Sequence, residues 1–559
     1  MPPLRLTLAL AVLAAALVAA GSPADARSSG DGTLAPAICS TGCFAAPSGS
    51  GPLLVFTGHG WGHGVGMSQY GAYGYALHGW TAQQILSHYY PGTATGTAPV
   101  SLVRVLLADK KKQLTLSSEV PFRVKDGAGV WHTLPAGPVV LDPSLQLTVD
   151  GQAAPQALPA PLTFRPGPGG PLSLKLPYRG LIQVDVVDGK LRAIDIVGLE
   201  KYLYGVVPSE MPSSWSPEAL KAQAVAARSY AMATRQVGAP YDLFSDTRSQ
   251  VYLGISHEQG ASSAAVDATK GQVLMFNGQV AVTYFSSTSG GMTESAANWT
   301  GSPVPYLVSV PDPYDALSPY HDWGPVAVTG KQVVTALKLP ATLTDIKTTR
   351  GPTGRVASVD LLAQTLDVAV LGTKFRSALG LRSTWFDVGI LSLAAPAPSA
   401  PIPYGTAIQL TGLIRGVGGV SLEQRTSLAT WGAVGPVAPA VDGSVQLMET
   451  PTITTDYRLA TPAAAAAYVR IRVMPLVSLT AFSLTQVQGT VQPVLPDAPV
   501  QVQQQAPDLT WSDVATGVVN AEGTFSIPVQ LASGGTYRVV VAPGHGYWPG
   551  VTTPQIAAR

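Results

Sequence analysis

One carboxylate is set apart by its neighbours. Glu210 lies in Ser209-Glu-Met-Pro212, with Pro208 on one side and Pro212 on the other. A proline fixes its own φ and restricts the residue before it, so such a turn holds its side chains in set directions. Val206, Val207, Met211 and Trp215 are apolar neighbours that can strip water from a carboxylate and raise its pKa. A raised pKa suits a general acid near neutral pH. Spacing alone leaves a solvated surface glutamate as the other reading.

A second candidate is Gly58-His-Gly-Trp-Gly-His-Gly-Val-Gly-Met-Ser-Gln-Tyr-Gly-Ala72. Glycine at every second position lets backbone approach a ligand or another segment closely. His59 and His63 are four apart, which on a helix would suggest metal, but the glycines disfavour a helix. Zinc also takes three or four protein ligands, so no metal site is assigned and no cofactor is expected. Two readings stay open: a hydrogen-bonding bridge between core segments, and a lining for a cleft to which Gln69 also belongs.

Elements must hold these side chains. Residues 199–207 read as a short helix that Pro208 stops, with 209–212 an irregular connector. Ser216 is a fitting N-cap, Pro217 a fitting first residue and Glu218 a fitting first-turn acid. The helix over 217–235 carries Leu220, Ala224, Ala227 and Ala231 on one stripe, and its many small residues predict close packing. Ser68 caps a helix containing Gly71, Ala72, Gly74 and Ala76. Thr81 and Gln84 form a capping-box start for the next, which Pro91-Gly92 ends. Residues 100–195 read as short strands divided by Gly, Pro and Asp turns, and 245–390 as strands mixed with short helices. A Pro-rich, stiff linker follows at 394–403. Beyond it, 404–476 and 477–559 read as two all-β, immunoglobulin-like sandwich modules, with strands every eight to twelve residues or so. Both carry a late Tyr-Arg pair, Tyr457-Arg458 and Tyr537-Arg538.

A chain of 559 residues exceeds one ordinary domain, at roughly 150 residues each. Its net charge of +1, from 34 basic and 33 acidic residues, excludes the strong basic field of a nucleic-acid binder. Arg5, an apolar run over 6–20 and Ala24-Asp-Ala26 read as a signal peptide over 1–26, an uncleaved anchor being the other reading. A flexible segment, 27–51, would follow. The expected product is secreted or held in the cell wall, with no membrane span after cleavage. Cys39 and Cys43, the two cysteines, are too few for a metal site, and export permits a disulfide between them.

Longer motifs carry a resemblance. Tyr204-Gly-Val-Val-Pro-Ser-Glu-Met-Pro212, Trp215 and Glu218-Ala-Leu-Lys-Ala-Gln-Ala-Val-Ala-Ala-Arg-Ser-Tyr230 closely resemble the core of the stage II sporulation protein D and amidase enhancer (SpoIID/LytB) family. Asp246-Thr-Arg-Ser-Gln-Val-Tyr-Leu-Gly254, Phe285-Ser-Ser-Thr-Ser-Gly-Gly-Met-Thr-Glu294 and Phe375-Arg-Ser-Ala-Leu-Gly-Leu-Arg-Ser-Thr384 extend it. The resemblance implies an α+β SpoIID-like catalytic domain over 52–393. Segment 52–97, with Tyr89-Tyr-Pro-Gly92, comes last in the family and first here, so the order looks circularly rearranged.

The resemblance further implies a lytic transglycosylase on peptidoglycan glycan strands, with Glu210 as acid and then base and 1,6-anhydro-muramic ends as products. A glycosidase using water would normally need a second carboxylate, for which Asp246 and Glu294 are candidates. Candidate substrate contacts are Ser249, Gln250 and Tyr252; Ser289, Gly290, Gly291, Thr293 and Glu294; His59, His63 and Gln69; and Lys221 with Arg228, seven apart near one helix face. Each also has a structural reading as a turn, core or solvated group. The competing function is a noncatalytic wall-binding protein or an enhancer of a separate N-acetylmuramoyl-L-alanine amidase, a possible partner.

Overall fold

The computed structural model describes residues 43–47, 49–363, 366–396, 400–426 and 429–558. The signal-peptide reading and Cys39 lie outside them. Cys43 is disulfide-bonded. The chain is mostly β, with its longer helices gathered in one region.

Four of the helices position the site: α1 (Gln69–Leu77), α2 (Ala82–Tyr89), α3 (Leu199–Glu210) and α4 (Pro217–Thr234). The Ser68 hydroxyl accepts the Gly71 N–H at the start of α1. Thr81 and Gln84 close the capping box of α2. Ser216 occupies the N-cap of α4, but its hydroxyl makes no capping bond. Glu218 caps a different helix, accepting the Ala82 N–H of α2 at 2.7 Å.

A seven-stranded sheet supports α3 and α4. Its order is Leu243–Phe244, Leu102–Lys111, Lys190–Gly198, Leu181–Val187, Leu162–Arg165, Phe122–Lys125 and Trp131–Leu134. All neighbours are antiparallel except the first pair. Alternate residues such as Val103, Val105, Ile182 and Val184 face one core with Tyr202, Leu203 and Val206 of α3 and Ala224, Ala227 and Ala231 of α4. On its other side α4 packs Ala222, Val225 and Ala226 against Ala72, Tyr75, Ile85 and Leu86 of α1 and α2. Leu220 joins a third cluster with Met211 and Ala265. A helix enclosed on so many sides needs small residues, and this is why α4 is alanine-rich.

Two expectations change. Pro208 does not stop the helix: α3 runs on to Glu210, with Pro208 inside its last turn. Only one ladder bond is lost there, and the Met211 N–H still closes onto the Val207 carbonyl at 3.0 Å. Glu210 is therefore a helix-terminal residue, not part of an irregular connector.

The stretch 404–476 also does not stand apart behind its linker. One five-stranded sheet runs Asp322–Thr329, Leu53–His59, Phe386–Ala394, Ile408–Arg415 and Ser444–Glu449. Leu53 and Leu391 share a core with Ile408, Leu410 and Tyr457. Strand Phe386–Ala394 pairs on both edges, a long-range choice invisible in local composition. Farther on, a three-stranded and a five-stranded sheet enclose Val487, Val500, Phe525, Tyr537 and Val539.

Candidate functional site

Glu210 is half-buried at the C-terminal end of α3. Burial pushes its pKa up to about 7, against hydrogen bonds from the Val251 backbone and the Gln69 side chain that favour the charged form. Gln69 is nearly buried and also approaches the Gln223 amide oxygen at 3.5 Å. Two tyrosines feel the Glu210 charge. Tyr202 is fully buried, donates to the Gln250 side-chain oxygen at 3.2 Å, and is raised first by burial and then by Glu210. Tyr230 is pushed up to about 12 by burial, then by Tyr284 and Glu210. Both phenols stay protonated at neutral pH. No second carboxylate of the described residues acts on Glu210. Asp246 is tied to Arg248 at 2.7 Å.

Helix α1 reaches this place through more than Gln69. Tyr73 stacks on Trp215 at 4.5 Å between centroids, and Tyr70 meets the same ring at 4.7 Å. Segment 52–97 thus packs beside Glu210. Its histidines do not touch that carboxyl. His63 accepts the Val65 N–H at 3.0 Å and stacks on Trp299 at 4.8 Å. Burial, then Arg376 and Arg355, pushes its pKa down to about 3, so it is a neutral bridging group. His59 binds Asp322 at 2.6 Å and lies edge-on to Trp385.

Several candidate contacts are structural. Tyr252 is buried, donates to Asp195 at 2.9 Å and packs on Tyr202, so it presents no face to a sugar. Gln250 is buried against Tyr202, and the Ser249 hydroxyl accepts the Phe244 N–H. That run touches Glu210 through the Val251 backbone instead. Ser289, Gly290, Gly291 and Thr293 form no open polar loop. Ser289 donates to Asp312 at 2.7 Å, the Ser289 and Gly290 N–H groups donate to Asp315, and Gly291 N–H to the Ser289 hydroxyl. Thr293 Oγ1 accepts the Val310 N–H at 2.8 Å. Glu294 accepts from Ser295, Asn298 and Thr353. The buried carboxylates of Asp312 and Asp315, which sequence reading did not single out, draw this loop inward.

Arg228 is fully buried, paired with Glu200 and donating to the carbonyls of Gln272 and Val266. It is a core clamp, closed off from solvent. Lys221, half-exposed, pairs with Glu218 at 2.7 Å. Tyr202, Tyr230, Gln223 and the Val251 N–H were missed. Tyr202 lies eight residues before Glu210, on the same helical stripe, a signal that shows only when the helix runs on past Pro208.

A family model described as "Stage II sporulation protein" (SpoIID) matches residues 187–276, which contain Glu210. An uncharacterized protein of Brachyspira hyodysenteriae is 40% identical over 24% of this chain and 37% of its own length. The amidase enhancer of Bacillus subtilis is 44% identical over 20% of this chain and 15% of its own. Stage II sporulation protein D of Bacillus subtilis is 35% identical over 35% of this chain and 62% of its own. The chain thus spans less than two thirds of each of these relatives. Through residues 187–276 the chain is thus similar to the stage II sporulation protein D (SpoIID) family.

Proposed function

We propose that this protein acts on the glycan strands of peptidoglycan as a secreted or wall-held lytic transglycosylase, with Glu210 as its acid and base. The observation that carries this reading is a single half-buried carboxyl at the end of α3, pushed up to about 7 by burial and near enough to Tyr202 and Tyr230 to raise both phenols. Neutral Glu210 protonates the glycosidic oxygen, and the bond to the muramic C1 breaks. The carboxylate left behind is favoured by the Val251 N–H and the Gln69 amide. It then takes the proton of the C6 hydroxyl on the same sugar as that oxygen bonds to C1, closing the 1,6-anhydro ring. Glu210 ends neutral, and neither water nor a second carboxylate enters.

The test is digestion of intact sacculi and of peptide-free glycan, with mass analysis of the products. Anhydro-ended fragments that vanish in Glu210→Gln support the reading; their absence with wild type rejects it. A second reading, an enhancer of a cell-wall amidase, is favoured by the 44% identity to the amidase enhancer and by the two β-rich stretches. It predicts wall binding without new products, unchanged by Glu210→Gln.

A further inference from the structure

Beside Glu210 runs a strip of half-buried rings that the acid–base reading does not use. Trp215 meets Tyr73 and Tyr70. The Tyr70 N–H donates to the Ser287 carbonyl at 3.0 Å, and the Trp61 N–H to the Thr288 carbonyl at 2.9 Å. Adjacent residues of one extended segment thus hold both backbones. The Trp61 ring meets Tyr320 edge-on at 4.3 Å. The Gly60 N–H, donating to the His321 carbonyl at 2.9 Å, keeps these two segments together. Tyr320 in turn lies close enough to Tyr70 to raise its phenol, after burial.

Arg382 ends the strip. Its guanidinium lies 4.3 Å from the Tyr320 ring centre and 5.0 Å from that of Trp61. Its carbonyl accepts the Gly62 N–H at 3.0 Å and the Arg376 guanidinium at 2.9 Å, so the backbone is pinned while the side chain is half-exposed. Arg228, Arg350 and Arg415 each hold a carboxylate. Among the described residues none pairs with Arg382, whose side-chain partners are the two rings. A guanidinium laid against aromatic faces is already ordered, and its N–H edge stays open to a carboxylate.

We propose that Arg382, framed by Trp61 and Tyr320, is a second subsite for the glycan strand, taking the carboxylate of an acidic sugar while the rings cover neighbouring pyranose faces. This rests on the glycan reading of Glu210 and adds a specificity-determining residue to it.

The test is titration calorimetry on the full chain carrying Glu210→Gln, which prevents turnover. The probes are peptide-free glycan with free carboxylates, the same glycan after carboxyl reduction, and a neutral N-acetylglucosamine oligomer. The carboxylate form is expected to bind about tenfold more tightly than the reduced form, in keeping with a charge-assisted hydrogen bond. Adding Arg382→Gln should remove that ratio, so that the carboxylate and reduced forms bind alike. Arg382→Lys should keep part of the ratio, and serves if the glutamine variant does not fold. An undiminished ratio in either variant overturns the subsite and leaves the Glu210 reading intact. Failure of the Arg382-containing protein to bind any glycan overturns the glycan reading itself, and the subsite with it.

Discussion

The side-chain amide of Gln69 lies close enough to Glu210 to favour its ionised carboxylate. Gln69 is the first residue of α1 and Glu210 the last of α3. Two helix ends, far apart in the chain, thus meet at the group proposed to do the chemistry. The amide supports the ionised form while burial supports the neutral one, and the balance leaves the carboxyl near neutral pH.

Replacing Glu210 by Gln removes the proton donor but keeps the shape. Anhydro-product formation on peptide-free glycan should fall by about a thousandfold, within the range of general acid–base catalysis. Glycan affinity should stay within a few fold. Single-turnover product analysis and binding titration separate the two effects.

The pH profile follows from the neutral form being the acid. Glycan cleavage should decline as pH rises through about 7, where Glu210 ionises. Gln69→Ala removes a donor that favours the carboxylate, so the pKa rises and the alkaline limb moves to higher pH. An initial-rate profile in which the limb moved to lower pH, or stayed fixed, would contradict the assigned contact.

Stability has the matching sign. The pKa of Glu210 is about 7 when folded against 4.5 ordinarily. The folded protein therefore binds the extra proton between those values, and stability falls as pH rises through that window. Glu210→Gln lacks this loss. Its stability relative to wild type should improve by about 1–3 kcal/mol from pH 4 to pH 8, read from urea unfolding at both pH values.

Arg228 tests the correction of a candidate contact. Arg228→Ala leaves Glu200 without its partner beside a closed core, a change that costs about 3–5 kcal/mol. Denaturant unfolding should show this loss, while the folded fraction binds glycan as wild type does. Weaker glycan binding by fully folded variant would return Arg228 to the ligand site.

Gly66 tests the Gly-His loop. Its φ is +73°, and a methyl group there would lie 2.1 Å from the Tyr284 carbonyl oxygen. Gly66→Ala should cost more than about 2 kcal/mol, through both backbone strain and the clash. Thermal unfolding measures it, and a variant as stable as wild type would contradict this packing.

Local signals in the chain anticipated local structure. The caps at Ser68 and Thr81, the small-residue face of α4 and the apolar company of Glu210 depend on neighbours a few residues away, and there the amino-acid order was enough. Pro208 misled because one missing N–H in a last turn costs little once the helix is packed. Tertiary structure alone decided which polar groups face inward. Arg228 found Glu200, Tyr252 found Asp195, and Ser289 found Asp312. It also paired strand Phe386–Ala394 with Ile408–Arg415, on the far side of a segment that composition marks as a boundary. Burial and long-range strand pairing are set by segments distant in the chain, and no local pattern encodes which distant segment arrives.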